Sequence, residues 1–172
     1  MRWFVLKTDV LSKEYLQQAL LLLMENKPIE KIKVSELCQK AGVSRMTFYR
    51  LYGDKMEVIK DMISGIGMDF TQQNNQLIDI DFKKYLMILF GILKKYSKVT
   101  TLLMKSDLQY LLQNYFTYVF ILNNDKSPIY NNYYFSGALW NVYMCWLKNG
   151  MEESEEQLAD IICHIINDTV AK

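Results

Sequence analysis

Residues Val34 to Lys55 read V-S-E-L-C-Q-K-A-G-V-S-R-M-T-F-Y-R-L-Y-G-D-K, two short helices and a tight turn in 22 residues, the spacing of a helix-turn-helix. Leu37 and Ala41 are four apart and share one face of a first helix. That helix must stop at Gly42, where a residue without a Cβ takes the left-handed conformation at little cost. Ser44 starts the second helix, its hydroxyl placed to accept from the backbone N–H of Thr47, with Val43 and Phe48 at the spacing of a hydrophobic staple.

The second helix, about Arg45 to Tyr52, sends Phe48 and Leu51 inward and leaves Arg45, Met46, Thr47, Tyr49 and Arg50 outside. The chain has three arginines, Arg2, Arg45 and Arg50, so two of the three sit on this helix. Arginine forks onto guanine or phosphate, and the first turns of a recognition helix are what reach base edges in the major groove. The expected function of the stretch is therefore duplex DNA binding.

Ile29-Glu30-Lys31-Ile32-Lys33-Val34-Ser35-Glu36-Leu37, then Ala41-Gly42-Val43-Ser44-Arg45, Thr47-Phe48-Tyr49 and Lys55, together resemble the DNA-binding domain of the TetR family of bacterial transcription regulators. The resemblance covers about the first third of the chain. It implies a homodimer whose two recognition helices read a palindromic operator, usually as a repressor released by a small molecule. By position, Thr47, Tyr49 and Lys55 match places that commonly touch phosphate, and Arg45 and Met46 match places that commonly approach bases. Ser44 and Arg50 complete the DNA-side set on the recognition helix. Two residues depart from the family pattern: Lys33 stands where a capping threonine is usual, and Tyr52 where phenylalanine is more frequent. Ser35 is left to supply a cap, and Lys33 a phosphate contact of its own.

Outward from the motif, residues 8–26 read as a long bracing helix, with Leu11, Tyr15, Ala19, Leu22 and Leu23 at three-and-four spacing and Leu16 and Leu20 widening the stripe. Trp3, Phe4, Val5 and Leu6 either extend that helix or pack on it. Asp54 and Glu57 have capping-box spacing and open a connecting helix. Met56, Ile59, Ile63, Ile66 and Phe70 carry that helix on, while Gly65 and Gly67 permit either a bend or a close packing contact. The polar tract Thr71–Asp81 reads as a boundary. Helical patterns follow at about 82–96, 99–105, 107–122, 129–149 and from Ser154 onward, where Gln157 is the capping-box partner. The expected fold is all-α with about nine helices: a helix-turn-helix domain at 1–53, a connecting helix at 54–70, and a helical effector-binding and dimerisation domain at 71–172.

Net charge is +1, but residues 1–60 hold 11 Lys/Arg against 7 Asp/Glu and the remainder 9 against 12, so positive charge gathers with the reading head. With 51% apolar and 23% charged residues the chain has ample core. Cys38, Cys145 and Cys163 have neither disulfide-framework nor zinc-site spacing, and there is no run of 18 apolar residues and no cleavable signal pattern. A cytoplasmic protein with no membrane partner is expected.

Of 23 aromatic residues, 16 lie between Phe82 and Trp146. They read either as plain core or as a pocket for a small apolar or aromatic effector, with Phe116, Phe120, Tyr134 and Trp140 as candidate contacts. The last two helices are apolar on more than one face, as buried helices are. In the TetR family the corresponding helices commonly form a four-helix dimer interface, which nominates Leu139, Tyr143, Trp146, Leu158, Ile162 and Ile165. No catalytic residue, cofactor or metal site is expected: His164 is the single histidine and cannot act as a dyad with adjacent Cys163. There is no phosphate-binding glycine loop, and Glu152, Glu153, Glu155 and Glu156 complement a helix dipole. The expected function is a ligand-released repressor. The other reading keeps the fold and makes the C-terminal domain a surface for a partner protein, as in a coactivator or adaptor.

Overall fold

The computed structural model describes residues 2–75, 81–123 and 127–170, excepting the side chains of residues 2–7, 75, 123, 169 and 170. Among them are nine α-helices and no strand: α1 Arg2–Met24, α2 Val34–Ala41, α3 Arg45–Leu51, α4 Lys55–Asn75, α5 Phe82–Lys95, α6 Ser97–Lys105, α7 Gln109–Asn123, α8 Ile129–Lys148 and α9 Glu155–Val170. A 3₁₀ turn at Ile29–Lys31 precedes α2. The all-α architecture expected from the helical periods is present. The helices group into two compact units, one of Met1–Ser64 with Val99–Leu111 and one of Gly65–Lys98 with Leu112–Lys172.

These units differ from the division at residues 53 and 70. α4 is unbroken, and its first half groups with the N-terminal helices while its second half belongs to the other unit. A helix joins whichever core its apolar residues enter, so a polar tract further along the chain does not locate that change. Part of the tract, residues 76–80, and residues 124–126 of the expected turn lie outside the described residues.

In the first unit α1 contributes Leu16, Ala19, Leu20 and Met24 to a core that also holds Leu37, Phe48 and Val58. Leu11, Tyr15 and Leu22 are exposed, contrary to the expected stripe. The apolar sector of α1 is wider than its contact face, and the side toward α2, α3 and α4 is the one covered. The backbone is helical from Arg2, so the N-terminal apolar segment extends α1.

The second unit is built on α5 packed against α9. Asp81 caps α5, its carboxylate accepting from the Lys84 N–H at 2.7 Å. A reciprocal box opens α9, with the Ser154 N–H donating to Gln157 Oε1 at 2.8 Å and the Gln157 N–H to Ser154 Oγ at 3.1 Å. Lys83 reaches Asp160 at 2.7 Å and Lys94 reaches Glu155 at 3.2 Å, so the acidic start of α9 answers lysines of α5 as well as its own dipole. Phe90 and Trp146 meet edge to face at 5.9 Å, and the Tyr143 hydroxyl donates to the Leu93 carbonyl.

This core absorbs most of the expected dimer residues. Leu139, Tyr143, Trp146, Leu158 and Ile162 are buried inside the unit, and only Ile165, 55% exposed, has the surface that an interface requires. A helix apolar on several faces uses its best-packed face for its own domain. The exposed apolar groups of α8 and α9 include Ile129, Tyr130 and Tyr133 near the start of α8, and Tyr134, Ala138, Ile161 and Ile165.

Candidate nucleic-acid interface and apolar cavity

The turn between α2 and α3 forms as its residues dictate. Gly42 is left-handed, with φ of 65°, and the Val43 N–H closes the end of α2 by donating to the Cys38 carbonyl at 3.0 Å. Ser44 Oγ accepts from the Thr47 N–H at 3.0 Å and lies 2.9 Å from Thr47 Oγ1. Phe48 is fully buried beneath α3. Its neighbours on the helix are thereby turned outward: Met46 is 83% exposed, and Arg45, Tyr49 and Arg50 are exposed with it. Lys33, Ser35 and Ser44 are also exposed, and Thr47 is half-buried.

Two of the expected DNA-side residues, Lys55 and Arg50, have partners that the motif does not announce, and a third does not cap its helix. Ser35 is no cap: the position before α2 is Lys33, and no side chain caps the helix there. Lys55 donates its ammonium to the Ile29 carbonyl at 2.7 Å and also to that of Ile32, tying α4 to the 3₁₀ turn. Arg50 forks onto Asp9 of α1, Nη1 to Oδ2 at 2.7 Å and Nη2 to Oδ1 at 2.6 Å. That guanidinium holds the Asp9 carboxyl below its ordinary range. Arg45, by contrast, has no carboxylate paired with it among the described residues.

Asp61 of α4 was not legible as a site residue, yet it gathers three elements. Its Oδ2 accepts from the Tyr52 hydroxyl at 2.6 Å, Lys13 at 3.1 Å and Gln17 at 3.2 Å. Lys13 also lies 5.2 Å from the Tyr52 ring centre. Burial alone would push the Asp61 carboxyl up, and the hydrogen bonds from Tyr52, Lys13 and Gln17 outweigh it, leaving the group below its ordinary range. Burial, with the Asp61 carboxylate beside it, pushes the Tyr52 phenol up. The one available signal was Tyr52 itself, a hydroxyl where phenylalanine is more frequent.

Within the second unit an apolar cavity of about 40 Å³ lies between α4, α5 and α7. Phe116 and Phe120 line it, as expected, along with Phe70 and Leu89, and Tyr85 and Tyr115 supply its only side-chain polar atoms. Trp140 stands outside the lining, its ring 6.0 Å from Phe116, and Tyr134 is 69% exposed in a separate apolar groove with Ala138, Val142 and Ile165. Aromatic content marked the region, but helical spacing did not reveal which ring faced which side. Gly67 resolves one alternative: a Cβ there would lie 2.4 Å from the Tyr115 ring, so the glycine admits close packing. The cavity holds a few waters at most, against the roughly 300 Å³ or more of a typical ligand pocket. Rings mostly fill this space.

Cys38, Cys145 and Cys163 are free thiols. His164 is exposed and lies 3.3 Å from Asp168. Among the described residues no three His, Cys, Asp or Glu gather as metal ligands, and no helix is long and apolar enough to cross a membrane.

A profile of the TetR type, described as a transcriptional regulator C-terminal region, matches residues 80–168. No protein of curated function matches the sequence. Among solved structures, Lin0861 from Listeria innocua is similar over 95% of this chain and 93% of its own, with a TM-score of 0.78 and 18% identity. At that identity the likeness is one of fold.

Proposed function

The chain, matched by that profile over more than half its length, belongs to the TetR family of transcriptional regulators, and we propose that it is a repressor binding palindromic duplex DNA as a homodimer. The observation that carries the DNA-binding part is α3, a recognition helix with its hydrophobic residue buried and Arg45, Met46 and Tyr49 exposed on its first turns. Arg45 and Met46 approach bases, while Tyr49, Thr47 and Lys33 take phosphate. Dimerisation uses exposed apolar groups of α8 and α9, namely Tyr134, Ala138 and Ile165 of one groove and Ile161, instead of the buried ones. Placing aspartate at both Ile161 and Ile165 is expected to give folded monomers with weakened operator binding, read by sedimentation and by titration.

Release follows from a small apolar or aromatic compound entering between α4, α5 and α7. Such a compound must enlarge the cavity, and Tyr115, held against Gly67, is the ring that has to move. By linkage it weakens DNA binding only to the extent that DNA weakens its own binding. The smallness of the cavity favours a second reading in which the same fold answers to a partner protein. Thermal-shift screening with small aromatic compounds, followed by operator titration with each hit, separates the two: hits that lower operator affinity support the first, and none doing so supports the second.

A further inference from the structure

Two arginines share the recognition helix, and they are treated differently. Arg45 is exposed without a carboxylate partner among the described residues, whereas both terminal nitrogens of Arg50 are engaged by Asp9. Asp9 is 41 residues away in sequence, on α1, so the pairing is imposed by the fold. The Arg50 side chain is half exposed, and a pair so placed contributes little to stability. Its larger consequence is electrostatic. A guanidinium that would otherwise fork onto phosphate, bidentate, meets an oxygen pair of the same geometry inside its own protein. Lys13, the other cation near Asp9, is itself drawn to Asp61.

We infer that Asp9 sets the strength of sequence-independent DNA binding: it withholds Arg50 from the phosphate backbone and so lowers affinity for DNA of any sequence. This rests on the proposed DNA-binding role. Every phosphate neutralised adds to the binding of operator and unrelated duplexes alike. A recognition helix with two open arginines would grip all duplexes more tightly. With one held by Asp9, binding to every duplex is weaker by the same factor.

The test is a salt titration of binding to an unrelated duplex and to the best-bound duplex from a random-sequence selection. The proteins are the full chain, Asp9→Asn, Arg50→Gln and the double variant, each checked for folding by thermal denaturation. Asp9→Asn frees one guanidinium in each protomer, two per dimer, so the log–log salt slope on the unrelated duplex should steepen by about 1.8 and the affinity rise about sixtyfold at 0.1 M salt. Arg50→Gln should leave the slope at its starting value, and the double variant should return to it. Three results would overturn the inference: an unchanged slope in Asp9→Asn, a steeper slope that survives in the double variant, or a slope lowered by Arg50→Gln alone. The second would assign the gain to the lost negative charge, and the third would place Arg50 on phosphate already. A starting protein that binds neither duplex would instead overturn the DNA-binding role, and this inference with it.

Discussion

The two units are held together by different means. In the first, charged and polar groups link separate elements: Asp61 gathers Tyr52, Lys13 and Gln17, Arg50 meets Asp9, Lys27 meets Glu36 at 2.6 Å, and Lys55 meets two carbonyls. In the second, ion pairs also join α5 to α9 and α4, and ring-on-ring packing is added around a small apolar cavity. Hydrogen bonds have short range and fixed direction, so the first unit has one geometry. Apolar packing is less directional, and rings can be rearranged at modest cost if total volume is kept.

The largest expected effect comes from removing the one element that the first unit cannot replace by polar contacts. Phe48→Ala should cost about 3–5 kcal/mol of stability in denaturant titration, since Phe48 is completely buried under α3. A cost under 1 kcal/mol would mean that the polar links alone hold α3 in place.

Next comes the hub. Asp61→Ala leaves Tyr52, Lys13 and Gln17 without their shared acceptor and should cost about 2 kcal/mol. The pH dependence has a defined sign. Asp61 has a lowered pKa when folded, so its contribution is present above the ordinary carboxylate range near pH 4 and lost as pH falls through the lower folded value. Tyr52 has a raised pKa, so its contribution is present below about pH 10 and lost as pH rises beyond it. Tyr52→Phe should flatten the alkaline loss in a pH series of melting curves. An unaltered alkaline limb would detach Tyr52 from the hub's energetics.

In the second unit two glycines of α4, two residues apart, should respond with opposite signs. Gly67→Ala drives a methyl group into the Tyr115 ring and should destabilise by about 1–2 kcal/mol, less whatever helix propensity returns. Gly65→Ala meets open space and should stabilise by roughly 0.5–1 kcal/mol. Equal responses would show that the Tyr115 ring gives way freely. That outcome would sharpen the contrast between the units, because it would make the cavity easy to open.

The same contrast explains what could be read in advance. The helix-turn-helix was legible because Gly42, Ser44 and Phe48 act on neighbours within five residues, and such effects are written in local spacing. Arg50 with Asp9 and Tyr52 with Asp61 were not, because each partner lies on another helix and nothing about a surface aspartate announces its acceptor role. For α8 and α9, apolar residues on several faces identified burial but not which face the unit would keep, so Tyr143 and Trp146 entered the core while Ile165 stayed outside. Phe116 and Phe120 line the cavity and Tyr134 stands apart from it, since aromatic density locates a region and only packing orients a ring.

The most direct measurement is a salt titration of duplex binding by the full chain, with Arg45→Ala beside it. If α3 reads DNA with phosphate contacts from both protomers, affinity should fall by about 10³–10⁵ between 50 and 200 mM salt. Arg45→Ala should then cost about 1–3 kcal/mol on the best-bound duplex and relax the preference at particular base positions. Binding that ignores salt, or an Arg45→Ala protein with unchanged sequence preference, would contradict the assignment of α3 as the reading element.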